Sequence, residues 1–219
     1  MDKLRMRFSK TGRAAYISHL DLVQTMQRAF FRAGLPLKYS EGFNPRPQLS
    51  ALLPLSVGTE SLCELMDFQV TEELDIGAIP DRLNATLPEG IRVTEAYTRQ
   101  RKPAELKWLR VRGRLEYDER RPEELIEPLR ALYGGESIIV LRKTKRGEGE
   151  TDIKPAIKSL EVSAGDGNII LDAVISAQEP TLNPALLIEA LRRNAPELAP
   201  DFAKFTRQEV FDREMKIYR

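Results

Sequence analysis

The sequence of 219 residues predicts an α+β protein in which the element order β-α-β-β-α-β occurs twice. Three observations carry this. Each half opens on a run that alternates apolar residues with basic ones. Each such run is followed by residues at helical spacing. Glycines and prolines fall between the periodic segments, where turns are needed. The domains are placed at 1–100 and 106–219, and the segment Arg99 to Glu105, with three bases and Pro103, is the linker.

In the first half, Leu4, Met6 and Phe8 point one way, and Lys3, Arg5, Arg7 and Ser9 the other. Period two is the mark of a half-buried strand. Lys10 to Arg13 is a turn. Ser18 as N-cap with Asp21 at the third helical position approximates a capping box. Leu22, Met26, Ala29, Phe30 and Ala33 then recur at helical spacing, and Gly34 before Leu35-Pro36 ends the helix. Residues 37–57 are marked by proline and glycine and hold an interrupted strand. Pro45 and Pro47 cannot donate to a ladder, so this stretch belongs at a sheet edge. A strand is expected at 64–70, a helix at 72–87 that Pro80 divides or reopens, and a strand at 91–98.

In the second half, Leu109, Val111, Gly113 and Leu115 alternate with Arg110, Arg112 and Arg114. Pro122 to Tyr133 is a helix closed by Gly134-Gly135. Strands are expected at 138–141 and 169–175, joined by a polar excursion over 144–168. Asn183 caps a helix that runs to Asn194, with Pro184 at its first turn. A last strand covers 202–211. Each half has the ferredoxin-like order, a duplicated pair of antiparallel sheets with helices on one face. The halves share no long identity, so the duplication rests on pattern.

Composition narrows the function. Hydrophobic residues make up 42%, ordinary for a folded chain, and no apolar run approaches the length of a membrane span. The charged start MDKLRMRFSK is unlike an export signal. One cysteine, Cys63, has no internal partner for a disulfide, which fits a cytoplasmic location, and it reads as a small buried hydrophobe. With one cysteine and one histidine, no transition-metal site and no cofactor are expected.

The total charge of +1 conceals a pattern. Residues 3–50 hold nine bases against two acids. Elsewhere the acidic blocks fall mostly on helical segments and the basic blocks on strands, which predicts a basic sheet surface. Arg5, Arg7, Arg110, Arg112 and Arg114 are therefore expected on helix-free faces, with Arg13 in the first turn, as groups suited to phosphate. The plainer alternative is that they pair with acidic residues across the strands, at about 0.2–1 kcal/mol each. Trp108 and Tyr16 are the nearest stacking aromatics, a poor match to an RRM-type sheet.

The only histidine, His19, opens the first helix behind Ser18, and is expected to face the same groove as the basic faces. Free N–H groups at the positive helix end suit a phosphate. Alternatively His19 packs on the following loop and bonds a carbonyl. Gly42 to Pro47 is a loop whose prolines limit its backbone and which presents Phe43, Asn44 and Arg46, or else a simple crossover.

The segment FSKTGRAAYISHLDLVQTMQRAFFRAGLPLKYSEGFNPRPQLS resembles the opening of the uncharacterised radical-SAM-linked domain family, whose members are fused to, or encoded beside, cobalamin-binding radical SAM proteins. Ser18-His19-Leu20-Asp21 and Gly42-Phe43-Asn44-Pro45 carry the resemblance, with Asp152-Ile153-Lys154-Pro155 a weaker match. Where family members often have histidine, this chain has Arg46. No CxxxCxxC cluster motif is present, so the chain is not the radical SAM enzyme itself. The resemblance implies a partner of such an enzyme. The leading expectation is a non-enzymatic RNA-binding accessory module that works with a radical SAM protein in RNA modification or processing. One alternative is a metal-independent endoribonuclease, with His19 as acid or base and Arg5, Arg7 or Arg46 stabilising phosphate charge. Another is a protein–protein adaptor for a radical SAM enzyme. The oligomeric state is left open.

Overall fold

Strand β1 (Leu4–Lys10) buries Leu4, Met6 and Phe8. A 3-10 turn at Gly12–Tyr16 then leads to helix α1 (His19–Arg32). The structure, a computed structural model, describes residues 3–144 and 147–219. Its chain divides into two units, residues 1–105 with Arg219, and residues 106–218.

In the first unit, Ser18 Oγ accepts from the Asp21 backbone N–H at 3.2 Å and donates to Asp21 Oδ2 at 2.7 Å, so the cap read from sequence forms. Gly34, at φ +64°, ends α1, and Leu35 N–H returns to the Phe30 carbonyl. The segment 37–57 contributes a bridge from Leu37 to Val70, a bridge from Tyr39 to Pro47 and the three-residue strand β2 (Leu49–Ala51). Strand β3 (Glu60–Phe68), helix α2 (Ile79–Asn84) and strand β4 (Ile91–Thr98) follow. The helix expected over 72–87 is short, because Pro80 starts it rather than interrupting it. The strands pair antiparallel in the order β4-β1-β3-β2. Leu22, Met26 and Phe30 of α1 and Ile79 and Leu83 of α2 pack on Met6, Phe8 and Phe68 as one core. Each such side chain contributes about 1.5–3 kcal/mol by leaving water.

The second unit runs β5 (Leu106–Glu116), α3 (Pro122–Gly134), β6 (Ile139–Thr144), β7 (Gly147–Asp152), β8 (Ile157–Ala164), β9 (Ile169–Ser176), α4 (Ala185–Asn194) and β10 (Phe202–Asp212). Its sheet is antiparallel, in the order β10-β5-β9-β8. The segment expected to supply its second strand, 138–141, instead pairs with β7 in a separate hairpin. The strand beside β9 is β8, which lies inside the stretch read as a polar excursion. Lys145 and Arg146 of that stretch lie outside the described residues. Strand β8 ends the sheet, and the Arg130 guanidinium from α3 donates to its Val162 carbonyl at 2.9 and 3.2 Å. Asn183 Oδ1 accepts from Ala185 N–H at the start of α4, although Pro184, expected in the first turn, takes the cap position itself.

The architecture is thus mixed α/β with antiparallel sheets and four α-helices among the described residues. None of these helices is long and apolar enough to cross a membrane.

Candidate nucleic-acid interface

Arg5 does not lie on an open basic face. It stands opposite Asp67 in the β1–β3 register, with Nε 2.6 Å from Oδ1 and Nη2 3.2 Å from Oδ2. Nη2 also donates to the Arg101 carbonyl at 3.1 Å, and the side chain is 0% exposed. Alternation assigned it to the correct side of the strand but could not reveal that the segment after β4 reaches it there. Its hydrogen bonds are taken inside the fold, so it offers nothing to a phosphate. Arg7 is half-buried opposite Glu95. Tyr97, opposite Arg5, has its phenol raised to about 12 by burial, against the pull of the Arg5 charge.

In the second unit Arg110, Arg112 and Arg114 are exposed, as expected, yet each is paired. Arg110 grips Asp172 with two bonds of 2.8 and 3.0 Å, Arg112 adds a third at 3.2 Å, and Arg114 sits 3.1 Å from Glu116. Glu161 stands opposite Asp172 on β8. The face therefore mixes signs, and the uniformly basic sheet surface predicted from the charge blocks is absent here. Burial pushes the Asp172 carboxyl up, but the two arginines outweigh it and hold it below the usual carboxylate range. Trp108 is half-buried, with the Lys158 ammonium 5.2 Å from its ring, so it is not an open stacking platform.

His19 is exposed at the first position of α1, and Arg13 and Tyr16 are exposed on the turn before it. That turn is fixed from below. Lys10 is buried and its Nζ donates to the Ala15 and Ile17 carbonyls at 3.0 and 3.1 Å. Burial lowers its pKa, with Glu64 opposing. Thr11 N–H donates to the Gly90 carbonyl at 2.8 Å. Period two places Lys10 on the Leu4, Met6 and Phe8 side, and reading residues 10–13 as a turn is what hid its inward position.

The loop is built differently. Ser40 N–H donates to the Arg46 carbonyl at 2.8 Å and Ser40 Oγ accepts from Arg46 N–H at 3.0 Å, closing a tip of five residues. Gly42, at φ +120°, makes the turn that other residues rarely adopt. Phe43 is 100% exposed at this tip, and Asn44 and Arg46 are exposed beside it. The loop leaves the sheet at Lys38 and Gln48, which bond to the Gln69 backbone just beyond the Phe68 end of β3. His19 follows the turn held at the Glu60 end, where Gly12 N–H donates to Glu60 Oε1. The histidine and the loop thus attach at opposite ends of β3.

Residues 3–184 match a family described as "Uncharacterized protein conserved in bacteria (DUF2344)". The chain belongs to that family. Among solved structures, this DUF2344 chain is similar to an unknown protein from Galdieria sulphuraria, with 11% identity, 94% of this chain and 98% of that one covered, and a TM-score of 0.28. It is likewise similar to the acetolactate synthase small subunit from Thermotoga maritima, with 10% identity, coverage of 97% and 98%, and a TM-score of 0.28. No curated protein matches it.

The DUF2344 chain also has a cleft of about 320 Å³ that the sequence reading missed, lined by Lys3, Pro47, Gln48, Ser50, Arg99 and Pro103 among others. Its signal was present in the register. Leu4 pairs with Thr98, so one further step sets Lys3 against Arg99, a residue read as linker. The end of the Gly42–Pro47 loop forms part of the cleft wall through Pro47.

Proposed function

We propose that this DUF2344 protein is a non-enzymatic RNA-binding module whose Gly42–Pro47 loop engages unpaired bases. The observation that carries the reading is Phe43, wholly exposed on a tip whose ends are held by the Ser40–Arg46 bonds. Leaving a phenyl ring in water forgoes about 1.5–3 kcal/mol of burial. A ring held ready on a constrained loop recovers that on contact with a flat apolar partner, and little ordering entropy remains to be lost. A base stacked on an aromatic ring is worth about 1–3 kcal/mol. The exposed Lys38 and Arg46 flank the tip and supply charge for the adjoining phosphates.

The Ser18–Asp21 and Gly42–Pro45 motifs support a radical SAM enzyme as the partner that acts on the bound RNA. The shared strand order supports reading the units as tandem ferredoxin-like domains, with the β6–β7 hairpin inserted in the second. A single, buried cysteine supports a reducing, cytoplasmic compartment.

Fluorescence anisotropy with a single-stranded RNA oligonucleotide tests the reading. Affinity is expected to fall linearly in log–log form with salt. Phe43→Ala should weaken it by about 5- to 150-fold, the equivalent of 1–3 kcal/mol, without lowering Tm. Absence of binding at low salt, or full affinity in the combined Phe43→Ala, Arg46→Ala variant, overturns it.

A further inference from the structure

Lys3 and Arg99 face each other across the end of the β1–β4 ladder. Arg99 N–H donates to the Lys3 carbonyl at 2.8 Å, one step beyond the Leu4–Thr98 pair. Like charges directly opposite in a sheet are unfavourable unless something anionic lies between them. The carboxylate in the cleft lining is Asp67. It accepts two bonds from Arg5 at 2.6 and 3.2 Å and a third from Arg99 Nη1 at 3.2 Å, so two guanidiniums already share its one charge. With Lys3 added, the cleft carries a surplus of positive charge.

The rest of the lining has the character of a ligand site. Among the described residues, the Lys3 ammonium, the Gln48 carboxamide and the Ser50 hydroxyl make no hydrogen bond, and Arg99 uses only Nη1. Pro47 and Pro103 add stiff apolar walls. A few convergent polar groups on an apolar frame, at about 320 Å³, match the lower range of small-ligand pockets, about 300–1,000 Å³. That space suits one nucleotide and excludes a duplex.

We propose that this cleft is a subsite for a single nucleoside phosphate, with Lys3 and Arg99 on the phosphate and the Gln48 amide, both donor and acceptor, on a base or ribose edge. The choice of ligand rests on the RNA reading above. The nucleotide is either a unit of the bound strand or a free mononucleotide, and the experiment separates these.

Binding of a single-stranded RNA oligonucleotide and of adenosine and uridine monophosphates is measured for the wild type, for Lys3→Ala and for Ser50→Trp. Lys3 and Ser50 are both exposed, and Arg99 is left in place because it braces Asp67. Ser50→Trp fills the cleft without changing its charge. If the strand supplies the nucleotide, Lys3→Ala lowers the log–log salt slope by about 0.7. Ser50→Trp then reduces oligonucleotide affinity about tenfold or more, and mononucleotides neither bind nor compete. If the source is free, mononucleotides bind the wild type and are lost in Ser50→Trp. Either pattern supports the subsite. Full oligonucleotide affinity in both variants with no mononucleotide binding overturns it and leaves the RNA reading intact. Mononucleotide binding without any RNA binding keeps the subsite and overturns the RNA reading. No binding of either probe overturns both.

Discussion

Arg5 and Asp67 meet across β1 and β3 with Nε 2.6 Å from Oδ1, and the arginine has no contact with solvent. A buried pair of this kind adds modest stability against an apolar substitute, but removal of one member strands the other charge. Asp67→Ala should therefore cost about 3–5 kcal/mol in urea denaturation. A loss below about 1 kcal/mol would show that Arg5 finds water or a new partner.

Arg110 and Arg112 present the opposite case. Their side chains are 50% and 53% exposed and both hold Asp172. Exposed pairs contribute about 0.2–1 kcal/mol. Replacing both by alanine should leave RNA affinity within about twofold and change stability by about 1 kcal/mol or less. A tenfold fall in anisotropy-measured affinity would bring this sheet face into the interface. Because the Asp172 carboxyl is held below its usual range, its share of stability is complete above the unfolded value and is lost only as pH falls through the lower folded one.

At the alkaline end, burial raises the Tyr97 and Tyr117 phenols to about 12 and raises Tyr133 further. A group whose folded pKa lies above its unfolded one gives stability that is full below the ordinary value of 10.0 and is lost as pH climbs through the folded value. Lys10, lowered by burial, acts in the other direction, but one ammonium opposes three phenols. Stability should decline between pH 10 and about 12, with these three phenolates appearing only as the fold opens. An absorbance titration with a single phenolate midpoint near 10, and circular dichroism unchanged throughout, would contradict this.

Gly90 adopts φ +87° where β4 begins, and a Cβ there would lie 2.5 Å from the Thr11 carbonyl oxygen and 2.9 Å from Ala14 Cβ. Gly90→Ala therefore combines left-handed strain with a backbone clash. It should cost about 1–3 kcal/mol and loosen the turn that precedes His19. Hydrogen exchange at Thr11, whose N–H is bonded to Gly90, reports the loosening; unaltered protection there would mean that the clash is absorbed elsewhere.

The first strand and first helix were legible because their burial follows period and capping chemistry. Leu4, Met6, Phe8, Ser18 and Gly34 are all where spacing put them. Strand β8 was not, because Lys158, Ser159, Glu161 and Ser163 give it an edge strand's polarity and leave Leu160 and Val162 as its only large aliphatics after Ile157. The side of the strand that Arg5 occupies could be read from alternation. Whether that side is open depends on Arg101, 96 residues away in the chain. The separation of His19 from the Phe43 loop was hidden for a similar reason. Nearness in sequence says nothing about which end of β3 each segment returns to.

Arg130 bears on how this molecule behaves at high concentration. A terminal strand with bare carbonyls is a template onto which a neighbouring molecule can add its own strand, the first step toward fibrils. By keeping two of its donors on Val162, the arginine occupies an acceptor such a neighbour would need, and so serves as a guard against self-association at that margin of the sheet.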